Sequence, residues 1–491
     1  MANPFKSRAF RYGIVSSVIT VAVIAAVFLL NAVLSLLFAR YPLNIDLTEN
    51  RIFEISEETE NFLSSLDRDV TIYVLNTEDR FINSSPAEYF VQANEVIRKY
   101  SQFSRRVHLE YLDLLRNPGF GAGFPGTELK VNDILVTEGR PGDTPGGKFR
   151  VLSSADLFNI RSSYYGSYVA SSRAEQAMTS ALLTVTSGGR TAVAVTGGHG
   201  EEDISAFTEL LRANAYEVAD LNLMTGDIDP GTQALILAAP ARDLEEEELR
   251  KIDAFLGNGD GRLLFYLSSA AQPPLPRLAS FLAEWGIEVA PGVVFETDTD
   301  RILYNNPFIA FNDYAEENYS KNMIQKRLNP VIPQSRPLKV LFEGRLYRSV
   351  KTLVRYSPKS GIRPVDAPEG WQPDLSRLEG DIPVLALSSF QRNNVEGDII
   401  KNHVLVCGSF LALNQVFLGS PNIANSGYFL DLTGTLAGRT DQIFIMDKTM
   451  GFTELGASLA RIILLTVIFM VMLPLTVLGA GLAVWLRRRH K

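Results

Sequence analysis

The residues best placed to do chemistry form one short run, Gly197-Gly198-His199-Gly200-Glu201-Glu202-Asp203, directly after the apolar stretch Thr191 to Thr196. In open α/β sheets ligands lie beyond the carboxyl ends of strands, on loops of this kind. His199 has the side chain for ligand binding or for shuttling a proton near neutral pH. The three acids that follow stand at the start of a helix, where they satisfy its dipole themselves and repel phosphate. The run therefore reads as a capped structural turn, as a ligand or partner site built from Gly197, Gly198, His199, Gly200 and Glu201, or as the seat of a catalytic histidine. The residues alone leave all three open.

Other chemistry-bearing patterns are weaker. Gly142-Asp143-Thr144-Pro145-Gly146-Gly147-Lys148 has most of a phosphate-binding loop, whose glycine amides cradle phosphate and whose lysine reaches the terminal phosphates. Phe149 replaces the required hydroxyl, and the segment joins two strands where such a loop must open a helix. Gly121-Ala122-Gly123-Phe124-Pro125-Gly126 matches a dinucleotide fingerprint by letter, but Pro125 and the stretch after it oppose a helix. Cys407, the single cysteine, excludes an intrachain disulfide and a multi-cysteine metal site. On an extended segment it stands about 13 Å from His403, at roughly 3.3 Å per residue, too far for a nucleophile and base. Ser268 and Ser269 follow a strand without the G-x-S-x-G elbow of a serine nucleophile. His108, His199, His403 and His490 lack ligand spacing, and Asp298, Asp300 and the run Glu245 to Glu248 read as solvated acids. No catalytic residue, metal or cofactor is expected.

The elements that position these residues are those of an α/β protein. Ser56 is placed to cap a short helix that buries Phe62, Leu63 and Leu66. Strands at Val70 to Leu75 and Val107 to Leu112 enclose a helix from Tyr89 to Phe103, a βαβ unit, and Asp133 to Thr137 with Lys148 to Leu152 form a hairpin. This makes a small α/β domain, residues 41–186, with a seam at Ser187-Gly188-Gly189. A second domain, residues 187–455, alternates apolar strands at 191–196, 217–223, 234–238, 262–267, 381–387 and 403–408 with helices, the pattern of a doubly wound parallel sheet. Residues 297–380 are expected to form an irregular insertion, with possible strands at Leu338 to Phe342 and Lys351 to Tyr356.

Two apolar runs bracket these domains, Gly13 to Ala39 and Ile462 to Leu486. Each exceeds the roughly 20 residues that a helix needs to cross the hydrocarbon. The first is also longer than the roughly 7 to 15 apolar residues of a cleavable signal, and Leu37-Phe38-Ala39 is a poor cleavage site. Lys6, Arg8 and Arg11 precede the first run, and Arg487, Arg488, Arg489 and Lys491 follow the second, so both termini are expected in the cytoplasm. Residues 1–40 and 456–491 would thus be transmembrane helices with basic cytoplasmic ends, and the body between them periplasmic or extracellular. The seven terminal cations contribute +7 to a net charge of −8, which leaves −15 elsewhere and disfavours nucleic acid as a partner.

Taken in order, several of these marks resemble the GldG family, membrane-anchored auxiliary components of ABC-type transport systems of the gliding-motility type. They are Asp46-Leu47-Thr48 followed by the Ser56 helix, Val195-Thr196-Gly197-Gly198-His199-Gly200-Glu201, Leu353-Val354-Arg355-Tyr356-Ser357-Pro358, and a closing apolar helix ending Trp485-Leu486-Arg487-Arg488-Arg489. Cys407-Gly408-Ser409-Phe410 departs from the Gly-Asp-Ser type turn common in such proteins. The resemblance implies a middle domain similar to glutamine amidotransferase-like folds but degenerate, an ATPase and a permease on separate chains, and a bacterial cytoplasmic-membrane location. The expected function is that of a noncatalytic auxiliary subunit, tied to the lipid bilayer by its two helices, whose extracytoplasmic domain binds a partner or envelope ligand. The alternatives are an envelope hydrolase or transferase using His199, and a structural scaffold without a small ligand.

Overall fold

The computed structural model describes residues 18, 21–33, 46, 48, 51–124, 127–142, 148–163, 166–186, 191–257, 259–345, 347–368, 370–376, 378–393, 399–439, 445 and 447–450, and parts of 467–487. They divide into two compact units, residues 1–54 and 55–491. In the first, residues 21–33 are helical with every side chain exposed, among them Val27, Phe28, Leu29 and Leu30. Further along, Asp46 closes a turn: Oδ1 accepts from the Thr48 amide and hydroxyl, and Oδ2 accepts from the Phe53 amide at 2.7 Å. Among the described residues no helix is long and apolar enough to cross a membrane. Both expected spans lie partly outside those residues, as do Ser187-Gly188-Gly189, Pro125, Gly126 and the stretch Asp143 to Gly147.

The second unit opens with helix α1 (Glu57–Ser65), whose Ser56 cap accepts from the Thr59 amide as expected. Strands β1 (Val70–Val74) and β2 (Val107–Tyr111) are parallel and joined through helix α2 (Ala87–Phe103), which confirms the βαβ unit. Strand β3 (Ile134–Glu138) pairs antiparallel with β1 and with β4 (Phe149–Leu152), giving a four-stranded sheet in the order 2-1-3-4. The glycine-rich segment ending at Lys148 thus joins two hairpin strands, and Phe120–Gly123 is a single 3-10 turn.

Two elements here escape the sequence patterns: the hairpin β5 (Phe158–Ser163) and β6 (Gly166–Ser172), and helix α3 (Ala174–Thr186). Nearly every residue of α3 is buried, Thr179, Ser180 and Thr184 included, so it shows no polar face to give the helical period away. At its start the buried Glu175 carboxylate gathers distant chain. Oε1 accepts from the Ser56 amide and hydroxyl and from the Thr59 hydroxyl, and Oε2 lies 2.8 Å from Lys448 Nζ.

The large sheet is built on β7 (Thr191–Gly197), β8 (Tyr216–Asn222), β9 (Thr232–Ala238) and β10 (Leu263–Leu267). Helix α4 (Ser205–Ala213) follows β7, α5 (Glu246–Gly257) follows β9, and α6 (Pro276–Glu284) follows β10. Beyond them lie β11 (Arg348–Arg355), β12 (Pro383–Asn393), β13 (Ile399–Cys407) and helix α7 (Asn425–Leu436). The parallel strands stand in the order β8-β7-β9-β10-β13, that is 2-1-3-4-5, the flavodoxin-like doubly wound order. In β9 and β10 successive residues feed opposite faces. Ile236, Phe265 and Leu267 join a core with Phe207 of α4 and Phe429 of α7, whereas Leu237, Leu264 and Tyr266 join one with Phe255 of α5 and Phe281 of α6. Strands apolar on both sides are what a sheet between two helix layers demands.

The expectation of a purely parallel sheet is corrected. Strand β12 pairs antiparallel with β13, β11 antiparallel with β12, and Asp313–Tyr314 extends the edge, so the sheet is mixed. The insertion is likewise less irregular than expected, because β11 belongs to the main sheet while Leu338–Val340 pairs with Ile287–Val289 outside it. Strand β11 and Leu338–Val340 are both among the possible strands read from the sequence; which sheet each joins depends on partners distant in the chain and is not legible locally.

Candidate functional site

His199 sits at the switch point of the sheet, in the loop after β7 and beside the loop after β9. Gly197 ends the strand, and Gly198 turns the chain with φ +112°, where a Cβ would lie 2.9 Å from the Asn222 amide. The turn is then stitched to the β9 loop. The Ala241 and Arg242 amides donate to the His199 carbonyl at 3.0 and 3.1 Å, the Arg242 guanidinium donates to the Gly198 carbonyl, and the Glu202 amide donates to the Ala238 carbonyl at 2.9 Å.

The imidazole itself is buried, only 5% exposed, between two carboxylates. Nε2 lies 3.1 Å from Glu248 Oε2, and Nδ1 lies 3.8 Å from Glu201 Oε1. Each carboxylate is also held by backbone: Glu201 Oε2 accepts from the His199 amide at 2.8 Å, and Glu248 Oε2 accepts from the Glu245 amide at 2.8 Å. Because the two acids face opposite ring nitrogens, they do not converge with the imidazole on one metal ion. Among the described residues no hydroxyl or thiol is hydrogen-bonded to His199, and no group of acids, histidines and cysteine could hold a metal. Gly197, Gly198, His199, Gly200 and Glu201 thus form one turn, and Glu248 from α5 joins it, which their spacing could not disclose.

One expectation here is corrected: Glu201 does not serve the helix start. Helix α4 begins at Ser205, and it is Asp203 that accepts from the Ser205 amide at 2.8 Å, while Glu201 folds back on its own turn. The remaining parallel-strand ends are covered by the chain itself. The Gln272 side chain accepts from the Tyr266 and Ser268 hydroxyls and donates to the Pro240 carbonyl. The Ser268 amide donates to the Cys407 carbonyl, and the Arg336 amide, from the insertion, donates to the Gly408 carbonyl at 2.9 Å. Burial pushes the Cys407 thiol up to about 12, which keeps it a thiol, and its Sγ donates to the Ser409 carbonyl. His403, pushed down to about 4 by burial and then by Lys401, bonds the Ser389 hydroxyl rather than the cysteine. Asp298 is held below the usual carboxylate range by its hydrogen bond from Lys359 and is a surface group.

Ligand-sized space lies elsewhere. A cavity of about 570 Å³ separates the β5–β6 hairpin from α4 and from the turn at residues 415–421, with Ile445, Asp447 and Met450 along one side. Its lining joins segments from across the chain, so no local motif announces it.

Comparison with known proteins bears on this architecture. Residues 190–332 match a family described as an ABC-type uncharacterized transport system, and residues 49–133 match a domain of unknown function. The first match supports an accessory role in an ABC-type transport system and association with one; it does not name GldG. No curated protein matches. Among solved structures the chain is similar to the mmIFT52 N-terminal domain, at 14% identity, covering 52% of this chain and 100% of that one, with a TM-score of 0.37. A ThuA-like protein from Parabacteroides merdae matches at 11% identity, over 53% and 96%, with a TM-score of 0.30. PurLQS from Thermotoga maritima matches at 12% identity, over 50% and 100%, with a TM-score of 0.27. Likenesses at these scores carry no argument about function.

Proposed function

We propose that this chain is a noncatalytic, membrane-anchored auxiliary subunit of an ABC-type transport system, with an extracytoplasmic body and its ATPase and permease on separate chains. The observation that carries the noncatalytic part is the covering of the strand ends. Open α/β sheets bind ligands in the crevice at this edge, and here Gln272, the Ser335-Arg336 segment and the His199 clasp occupy it. A histidine with a carboxylate on each side, and among the described residues no nucleophile bonded to it, ties β7 to α5.

The family match over residues 190–332 supports the accessory role. Anchoring by two helices, both termini cytoplasmic, draws on the terminal cations, on the exposed apolar helix at 21–33 and on the exposed Met470, Leu475 and Trp485 near the other end. The gliding-type kinship and the amidotransferase-like descent of the middle domain belong to the same reading. Affinity purification of the tagged full-length chain from its native membrane tests it: an ATPase and a multispanning membrane protein should accompany it in fixed ratio. Recovery of the chain alone would overturn it. The rival envelope hydrolase or transferase predicts a turnover that His199→Ala abolishes while the fold survives.

A further inference from the structure

The cavity between the β5–β6 hairpin and α4 lies in the size range of small-molecule sites, roughly 300 to 1,000 Å³. Val169, Leu210 and Leu418 give it apolar wall, and Tyr168 adds an exposed ring. Arg173 is the one cation among its described lining residues. That guanidinium, with a side chain 37% exposed, uses Nε alone, donating to Asp447 Oδ2 at 3.1 Å. Among the described residues its two terminal amino groups meet no acceptor, so the bidentate edge that suits a carboxylate remains open. The same Asp447 oxygen also accepts from Ser171 Oγ at 3.0 Å and Asn159 Nδ2 at 3.5 Å. One carboxylate therefore already sits against the cation and neutral donors of this cavity, and it is supplied by the chain.

Asp447 heads a strap. Lys448 and Thr449 form a two-residue strand on β6, the Met450 amide donates to the Ala170 carbonyl at 3.2 Å, and Lys448 reaches Glu175. Beyond the strap the chain continues into the apolar segment that includes Val467 to Met472.

We propose that the cavity binds a small organic monocarboxylate with an apolar body, and that Asp447 is its internal surrogate. The incoming carboxylate takes the Arg173 fork, Asp447 loses its charged partner, and the strap at 447–450 loosens. Glu209, exposed at the rim, repels a second anionic group and limits the ligand to one. The inference rests on the auxiliary-subunit reading only for what the loosened strap would act upon; binding is read without any partner protein, so its failure leaves that reading untouched.

Calorimetric titration of the full-length chain in detergent, with N-acetyl-phenylalanine against N-acetyl-phenylalaninamide, tests it. The acid should bind and the amide should bind at least about tenfold more weakly, the scale of one charge-assisted hydrogen bond. Arg173→Gln should erase that difference, Arg173→Lys should keep part of it, and Asp447→Asn should tighten the acid about tenfold. Hydrogen exchange at residues 448–450 should quicken in wild type with the acid, and in Asp447→Asn without it. Equal affinity for acid and amide, binding of neither to wild type and Asp447→Asn, or slower exchange at the strap when the acid binds would each overturn the proposal.

Discussion

Removing the His199 imidazole would strand two carboxylates in the interior. Glu201 and Glu248 would keep their backbone donors but lose the ring that separates them, and Oε1 of each already lacks a hydrogen-bond partner. Breaking a buried arrangement of this kind costs on the order of 3 kcal/mol. His199→Ala should accordingly lower the denaturation midpoint of the full-length chain, while Glu202→Ala, an exposed neighbour, should leave it nearly unchanged. Equal midpoints for both variants would mean that the clasp contributes nothing to the fold. Half of this site was legible in advance, because a glycine-flanked histidine after an apolar strand is a local pattern. The other half was not: Glu248 stands in an acidic run whose neighbours face solvent, and nothing in that run marks which acid turns inward.

At the scale of elements, the strongest constraint falls where the insertion crosses the end of β13. A Cβ on Gly408 would collide with Ser335 Oγ and with the Arg336 carbonyl, which is backbone and cannot swing aside. Gly408→Ala should therefore lower the thermal midpoint sharply or prevent folding, whereas Gly344→Ala, with open space around it, should be tolerated. Similar melting curves for the two variants would show that the insertion does not press on the strand end. The departure Cys407-Gly408-Ser409-Phe410 thus acquires a physical meaning: the small residue admits the covering segment. Strands β7, β9 and β10 were readable because four or more consecutive apolar residues between turns need no partner to be recognised. Helix α3 and the β5–β6 hairpin were not, since their composition is set by neighbours on every side.

At the scale of the whole molecule, the buried His403 and the half-buried Asp431 pull the pH response in opposite directions. Burial pushes the Asp431 carboxyl up to about 6, with the hydrogen bond from Asn322 opposing, and pushes His403 down to about 4. The unfolded chain releases the Asp431 proton near 4, so this group costs stability progressively as pH rises from about 4 to 6. The unfolded chain protonates His403 below about 6.5, so that group adds stability as pH rises from about 4 to 6.5. Asp431→Asn should leave a stability that climbs through this window, and His403→Gln one that declines to about pH 6. Denaturation midpoints across pH 4 to 7 check both, and variant curves parallel to wild type would refute the assignment.

By itself the sequence determined the α/β class, the first βαβ unit and hairpin, the strand runs of the large sheet and the histidine turn, because periods of 2 and 3.6 residues are written in adjacent side chains. Residues 190–332 also match a family described as an ABC-type uncharacterized transport system, since such similarity lies in residue order. Only the tertiary structure decided that the sheet is mixed, that Glu248 completes the His199 clasp, that the insertion covers the strand ends, and that Asp447 returns to Arg173. Each of those joins residues far apart along the chain, and what pairs them is complementary shape and charge after folding, which no local pattern encodes.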